Sequence, residues 1–134
     1  MLIHRQSAVI PYRFKSGKLE ILLISSLKKK NWIIPKGFVE NGISAQESAE
    51  KEALEEAGVK GIVQSNLLGI YHQKKWGGNC QIEVYAMSVN QELDLWSEKE
   101  LRERKWFTIK NAIDLIYNED LKHIIKKFQK SFSY

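Results

Sequence analysis

Gly37-Phe38-Val39-Glu40-Asn41-Gly42-Ile43-Ser44-Ala45-Gln46-Glu47-Ser48-Ala49-Glu50-Lys51-Glu52-Ala53-Leu54-Glu55-Glu56-Ala57-Gly58-Val59 is the stretch on which the reading of this chain turns. Ser44 and Glu47 stand at the spacing where a serine hydroxyl caps the first turn of a helix and the glutamate reaches back to the cap. Gly58 is placed to take the left-handed conformation that stops it. The pattern predicts a helix over 45–57. Within it Ala45, Ala49, Ala53 and Ala57 recur every fourth residue. A stripe of such small side chains lets the helix lie close against the rest of the protein.

Beside that stripe, Glu52, Glu55 and Glu56 fall within one arc of about 100°. The arrangement is locally unfavourable. The last helical turn carries the negative end of the dipole, which disfavours each carboxylate by ~0.3–1 kcal/mol. Glu52 and Glu56, four apart, repel by roughly a few tenths of a kcal/mol more. Lys51 is within reach of Glu47 and Glu55 at the same spacing, but one ammonium does not neutralise the cluster. A hard divalent cation does, because it prefers carboxylate oxygens. Helix geometry by itself leaves a merely acidic, solvated face as an equal alternative.

Outward from the helix, Gln6 to Phe14 and Leu19 to Ser25 are β-rich runs separated by the turn-like Lys15-Ser16-Gly17-Lys18. Trp32-Ile33-Ile34 leads into Pro35-Lys36-Gly37, which reads as a loop entering a site. Leu67 to Gln73 and Gln81 to Val89 read as two strands joined through the hairpin-like Trp76-Gly77-Gly78-Asn79. Trp106-Phe107 suits a short strand. Thr108 is placed to cap a helix over 111–117, and Leu121, Ile124, Ile125 and Phe128 repeat at helical spacing as a core-facing stripe. Strands and helices are intermixed, so the fold class is α/β or α+β.

Size and composition narrow the function classes. The chain of 134 residues is 43% apolar, which suits a single domain over 1–134. Cys80 is the only cysteine, so neither an internal disulfide nor a cysteine zinc site is available. No apolar run approaches the ~20 residues that span a bilayer, and the amino terminus lacks an apolar leader. A cytoplasmic protein with no membrane partner is the expectation. The net charge of +5, with Lys28-Lys29-Lys30 and Lys74-Lys75 contributing, favours phosphate-rich partners. Nucleic acid is the weaker candidate, because aromatic residues are not interleaved with the basic clusters.

The quoted stretch resembles the Nudix box: Gly, five residues, Glu, seven residues, Arg-Glu, an apolar residue, any residue, Glu-Glu, any residue, Gly, apolar. Gly37, Glu52, Ala53, Glu55, Glu56, Gly58 and Val59 match it. Ile43 stands where the family has Glu, and Lys51 stands where it has Arg. The resemblance covers most of the chain. Leu22 to Ser26, Trp32 to Pro35, Leu68 to Tyr71, and Trp96 through Arg102 to Phe107 look like the branch of diphosphoinositol polyphosphate and diadenosine polyphosphate phosphohydrolases. Pro35-Lys36-Gly37 is nearer the diadenosine side.

The resemblance implies an α/β/α sandwich with a mixed central sheet, and a Mg²⁺-dependent pyrophosphohydrolase, with Mn²⁺ as an alternative ion. It implies Glu52 and Glu56 as principal metal ligands, Glu55 assisting, and the backbone carbonyl of Lys36 completing the set. Glu52 is also a candidate base, and Lys51 a partner that orients Glu55. A ligand from outside the box would come from Glu98, Glu100 or Glu83. Lys36, Gly37, Arg13, Arg102 and Arg104 are the substrate-binding candidates, for a phosphorylated small molecule. The competing reading is a catalytically weakened nucleotide or RNA sensor, in which Ile43 marks lost turnover. Neither reading sets an oligomeric state.

Overall fold

The computed structural model describes residues 3–75 and 77–132. Its elements are β1 (Ile3–Lys15), β2 (Lys18–Ser25), β3 (Trp32–Ile33), β4 (Lys36–Phe38), α1 (Ala45–Glu52), β5 (Val59–Val63), β6 (Gly69–Lys75), β7 (Gly78–Glu92), β8 (Arg104–Thr108), α2 (Ile109–Leu115) and α3 (Glu119–Lys130). Between α1 and β5 the helix widens into a π-helical turn over Ala53–Ala57. Such turns concentrate at functional sites, and this one holds Glu55 and Glu56.

The sheet is mixed. β1 and β7 run parallel through a long register from Ile3↔Asn79 to Tyr12↔Ser88, and every other pairing is antiparallel. Around this central pair the sheet divides into two wings. The first half of β1 pairs with β4 and its last residues with β2. Likewise β7 starts against β6 and ends against β5. Because successive strand residues face opposite sides, Ala8, Ile10 and Tyr12 pack with residues of α2 and α3 such as Ala112, Ile125 and Phe128. Val9, with Tyr85 and Met87, packs under α1. Helices therefore cover both faces, the α/β/α sandwich that the resemblance implies.

Ala45, Ala49, Ala53 and Ala57 are buried to within 5%, so the alanine stripe does seat the helix on the sheet. Ser44 accepts from the Glu47 N–H and Glu47 accepts from the Ser44 N–H, closing the capping box. Gly58 adopts φ +65 at the other end. One expectation is corrected, and one further strand is found. The segment read as a loop at Lys36 is a short strand, β4, held by β1. The segment after Gly58 is a strand too, although Gly61 interrupts its pattern: a side chain there would collide with the Ser88 carbonyl on β7. The hairpin turn is borne out around Gly77, at φ +72, while Trp76 lies outside the described residues.

Candidate active site

The π turn brings Glu56 inward. Only 8% of its surface is exposed, and its Oε1 accepts from the Lys36 N–H at 3.0 Å. The Arg102 guanidinium lies 3.5 Å from its Oε2. Arg102 also donates to Glu98 Oε1 at 2.8 Å and to the Ser25 carbonyl at 3.0 Å. Glu52 lies one helical turn earlier and fills the space over Gly37, where a side chain would collide with its carboxylate. Glycine is required at position 37 for this close approach.

Burial, before any other cause, pushes the Glu52 carboxyl up to about 8. Glu56 and Glu55 raise it further, as does a hydrogen bond that Glu52 shares with Glu56. Burial also raises Glu56, against the pull of Arg102 and the Lys36 N–H. Two half-buried carboxylates leaning on one another are a destabilised pair, and positive charge between them would relieve it.

The donor set fits a hard divalent cation. Val9 donates to the Pro35 carbonyl, so Ala8 and Lys36 face one another as a non-hydrogen-bonded pair in the antiparallel ladder. Both the N–H and the C=O of Lys36 therefore point away from β1, and the N–H goes to Glu56. The Lys36 carbonyl leaves on that same side. Among the described residues no three carboxylate, histidine or cysteine side chains converge as a closed cage. An open set of two carboxylates and a carbonyl matches magnesium, which uses few protein ligands and keeps water and substrate phosphate for the rest.

The Lys36 side chain faces the other way, into a cleft of about 350 Å³ lined by Trp32, Tyr71, Lys75 and Tyr117 among others. Burial and the neighbouring Lys75 lower the Lys36 ammonium to about 8. Tyr71 is raised first by burial and then by the charge of Glu56. Trp32 is wedged edge-on against Phe107 at 5.1 Å, and His72 is an exposed lining residue.

The structure gathers Lys36, Gly37, Glu52, Glu56 and Arg102 into one site. It does not gather Arg13, which pairs with Glu20 and Glu92 and lies over Trp106 at 4.2 Å. Arg13 sits five residues beyond Ala8 on an extended strand, about 17 Å away. Arg104 is corrected as well. Its guanidinium donates to the carbonyls of Ala57, Gly58 and Leu93 and lies 3.9 Å from Trp96. It serves as the cation at the helix C-terminus, the offset that the acidic turn requires. Arg104 opens β8, whereas Arg102 lies in the irregular segment before it.

Of the outside carboxylates, Glu98 belongs to the site through Arg102, and its N–H is held by the Glu55 carbonyl. Glu83 is committed to Arg5, and Glu100 is exposed. Lys51 keeps one of the two partners its helical spacing suggests, Glu55, and takes Glu40 in place of Glu47. Glu47 is occupied by the capping box, and Lys51 reaches Glu40 at 2.7 Å and Glu55 at 4.0 Å. Sequence reasoning missed Glu40 and Trp96, whose indole N–H donates to the Glu56 carbonyl at 3.2 Å. No local spacing signals either one.

The NUDIX domain model matches residues 3–128. Nudix hydrolase 13, mitochondrial, of Arabidopsis thaliana is 33% identical over 91% of this chain and 71% of its own. Human diphosphoinositol polyphosphate phosphohydrolase 3-alpha is 34% identical over 72% of this chain and 60% of its own. A C. elegans Ap4A hydrolase, solved as a binary complex, superposes with a TM-score of 0.85 at 21% identity, covering 97% of this chain and 98% of its own. These relatives overturn the cytoplasmic expectation, since several of the plant proteins are named as mitochondrial. Lack of an apolar leader does not decide the compartment, because organelle-targeting segments are amphipathic rather than apolar. No helix among the described residues is long and apolar enough to cross a membrane. With the family match spanning nearly the whole chain and the box residues Glu52 and Glu56 gathered against Lys36 and Gly37, this chain belongs to the Nudix family and is a hydrolase of the pyrophosphohydrolase kind.

Proposed function

We propose that this enzyme uses Mg²⁺, with Mn²⁺ as a substitute, to hydrolyse a diphosphate linkage in a nucleoside diphosphate derivative such as a dinucleoside polyphosphate. The observation that carries this is the Glu52–Glu56 pair beside Lys36, whose N–H holds Glu56 and whose side chain lines a cleft with further lysines and aromatic rings. Lysines suit phosphates, and the exposed ring of Tyr117 suits a flat base rather than a polyhydroxylated ring. The Ap4A hydrolase fold and the diphosphoinositol relative both support the diphosphate chemistry; the aromatic lining favours the nucleoside.

Glu52 and Glu56 would hold the metal with the Lys36 carbonyl, and Glu55 would assist from the more exposed side. Bound there, the metal supplies charge neutralisation at the diphosphate and a lowered pKa for an attacking water. Lys36 and Lys75 bind and orient the phosphates from within the cleft. Arg102 keeps Glu56 in place in the metal-free protein and is positioned to meet phosphate charge beside it. As the water oxygen bonds to phosphorus, the bridging oxygen leaves with the electron pair of the broken bond. The water's proton passes to a carboxylate, for which Glu52 is the candidate, and Lys51 steadies Glu55 beside it.

Phosphate release from dinucleoside polyphosphates, nucleoside triphosphates and diphosphoinositol polyphosphates, with and without Mg²⁺, tests the reading. Turnover of a nucleoside substrate is expected, lost in chelator and reduced on the order of 10³-fold or more in Glu56→Gln, as for residues that act as a unit. Undiminished turnover in Glu56→Gln sinks the proposed site. Preference for the inositol compounds moves the substrate assignment without touching the site.

A further inference from the structure

Ser7 on β1 has no exposed surface, and its hydroxyl has no hydrogen-bond partner. Among the described residues it is the one buried hydroxyl left in that state. A buried polar group left unpaired loses its bonds to water and gains none in return. Alanine would fill the same space without that cost, so the hydroxyl calls for a physical reason.

Its place on the sheet supplies one. Ser7 pairs with Gly37 on one side and with Glu83 on the other. Odd positions of β1 face α1, as Val9 does. On the β7 side, Glu83 is already held by two bonds from Arg5 and one from the Tyr85 hydroxyl. On the β4 side Gly37 has no side chain, and the Glu52 carboxylate occupies that space. Side chains opposite one another in a ladder are about 4.5–5.5 Å apart at Cβ. The Ser7 hydroxyl thus faces Glu52 across a glycine.

We propose that Ser7 is a positioning residue for Glu52, its hydroxyl donating to that carboxylate when Glu52 turns to hold a divalent cation. The inference rests on the metal-holding role proposed above for Glu52. In the arrangement described, Glu52 shares a hydrogen bond with Glu56. A cation shared by the two separates them, and a ligating carboxylate is normally oriented by a donor behind it. Ser7 is the buried donor on that face with nothing else to bind.

The test uses Mn²⁺ alone as the probe on the intact chain, comparing wild type, Ser7→Ala and Ser7→Thr by thermal unfolding in metal-free buffer and by titration calorimetry. Ser7→Ala is expected to unfold at a temperature no lower than wild type without metal, because the lost hydroxyl bonds to nothing. Its Mn²⁺ dissociation constant should nonetheless rise about 10-fold, and Ser7→Thr, which keeps the hydroxyl, should bring it back. Unchanged Mn²⁺ affinity in Ser7→Ala overturns the inference. So does a metal-free unfolding temperature that drops together with the affinity, which would mark the hydroxyl as structural. If wild type binds no Mn²⁺ and Glu56→Gln is indistinguishable from it, the metal-holding reading falls, and Ser7 with it.

Discussion

The inner and outer sides of one helix treat the carboxylates near them in opposite ways. At the π turn, Glu56 is 8% exposed and tied to the Lys36 N–H and to Arg102. On the solvent side, Glu40 from the segment before the helix and Lys51 from the last turn of α1 form an ion pair whose side chains are 48% and 46% exposed. The same interaction type does different work in the two places. Water screens the outer pair, so it braces the loop against the helix with little energy. Burial removes that screening at the inner pair, raises both carboxyls, and makes the site receptive to added positive charge.

This contrast also bears on the departure at Ile43. The family carboxylate missing there would have stood beside Lys51, and Glu40 occupies that ammonium instead. Glu40 is tied to α1 a second time, its N–H donating to Ser48 Oγ at 3.1 Å. The loop therefore retains its brace to the helix despite Ile43. The weakened-sensor reading loses its main support on this account.

The contrast can be broken at the inner side by placing a methyl group under it. Gly37→Ala should displace the Glu52 carboxylate and lower the Mg²⁺-dependent rate by roughly 100-fold, the order expected when a reacting group shifts by about 1 Å. Steady-state kinetics beside a melting curve checks this; an unaltered rate would show that Glu52 does not depend on its seat over Gly37.

A pH series sharpens the same side. Glu52 is raised from 4.5 to about 8, so the unfolded chain loses its proton first as pH rises. The stability associated with Glu52 is therefore fully present below pH 4.5 and is lost as pH climbs through about 8. Denaturant unfolding of the metal-free protein across that window should show the decline, and Glu52→Gln should flatten it. A slope identical in the variant would assign the decline to other groups.

The smallest effect belongs to the outer side. Glu40→Gln should cost no more than about 1 kcal/mol, and added salt should shrink the difference. A loss that is larger and insensitive to salt, measured by urea unfolding, would erase the distinction between the two sides.

What could be read along the chain was whatever depends on neighbours in sequence. The capping box, the alanine stripe, the stop at Gly58 and the arc of Glu52, Glu55 and Glu56 all lie within one helix, where spacing alone dictates direction. The box spacing tied that arc to the family, and the intermixed strands and helices gave the fold class. Contacts between residues far apart in sequence were decided by the tertiary structure. Arg102 joins the carboxylates whereas Arg104 caps the helix and Arg13 sits at the far end of β1, although the residue type is the same in all three. Lys51 takes Glu40 from a loop rather than Glu47 from its own helix, because the cap has already claimed Glu47. Ser7 stands opposite the glycine over which Glu52 sits only because β4 docks on β1. Spacing sets which way a residue points along its own element; which residue it meets is set by how the elements pack.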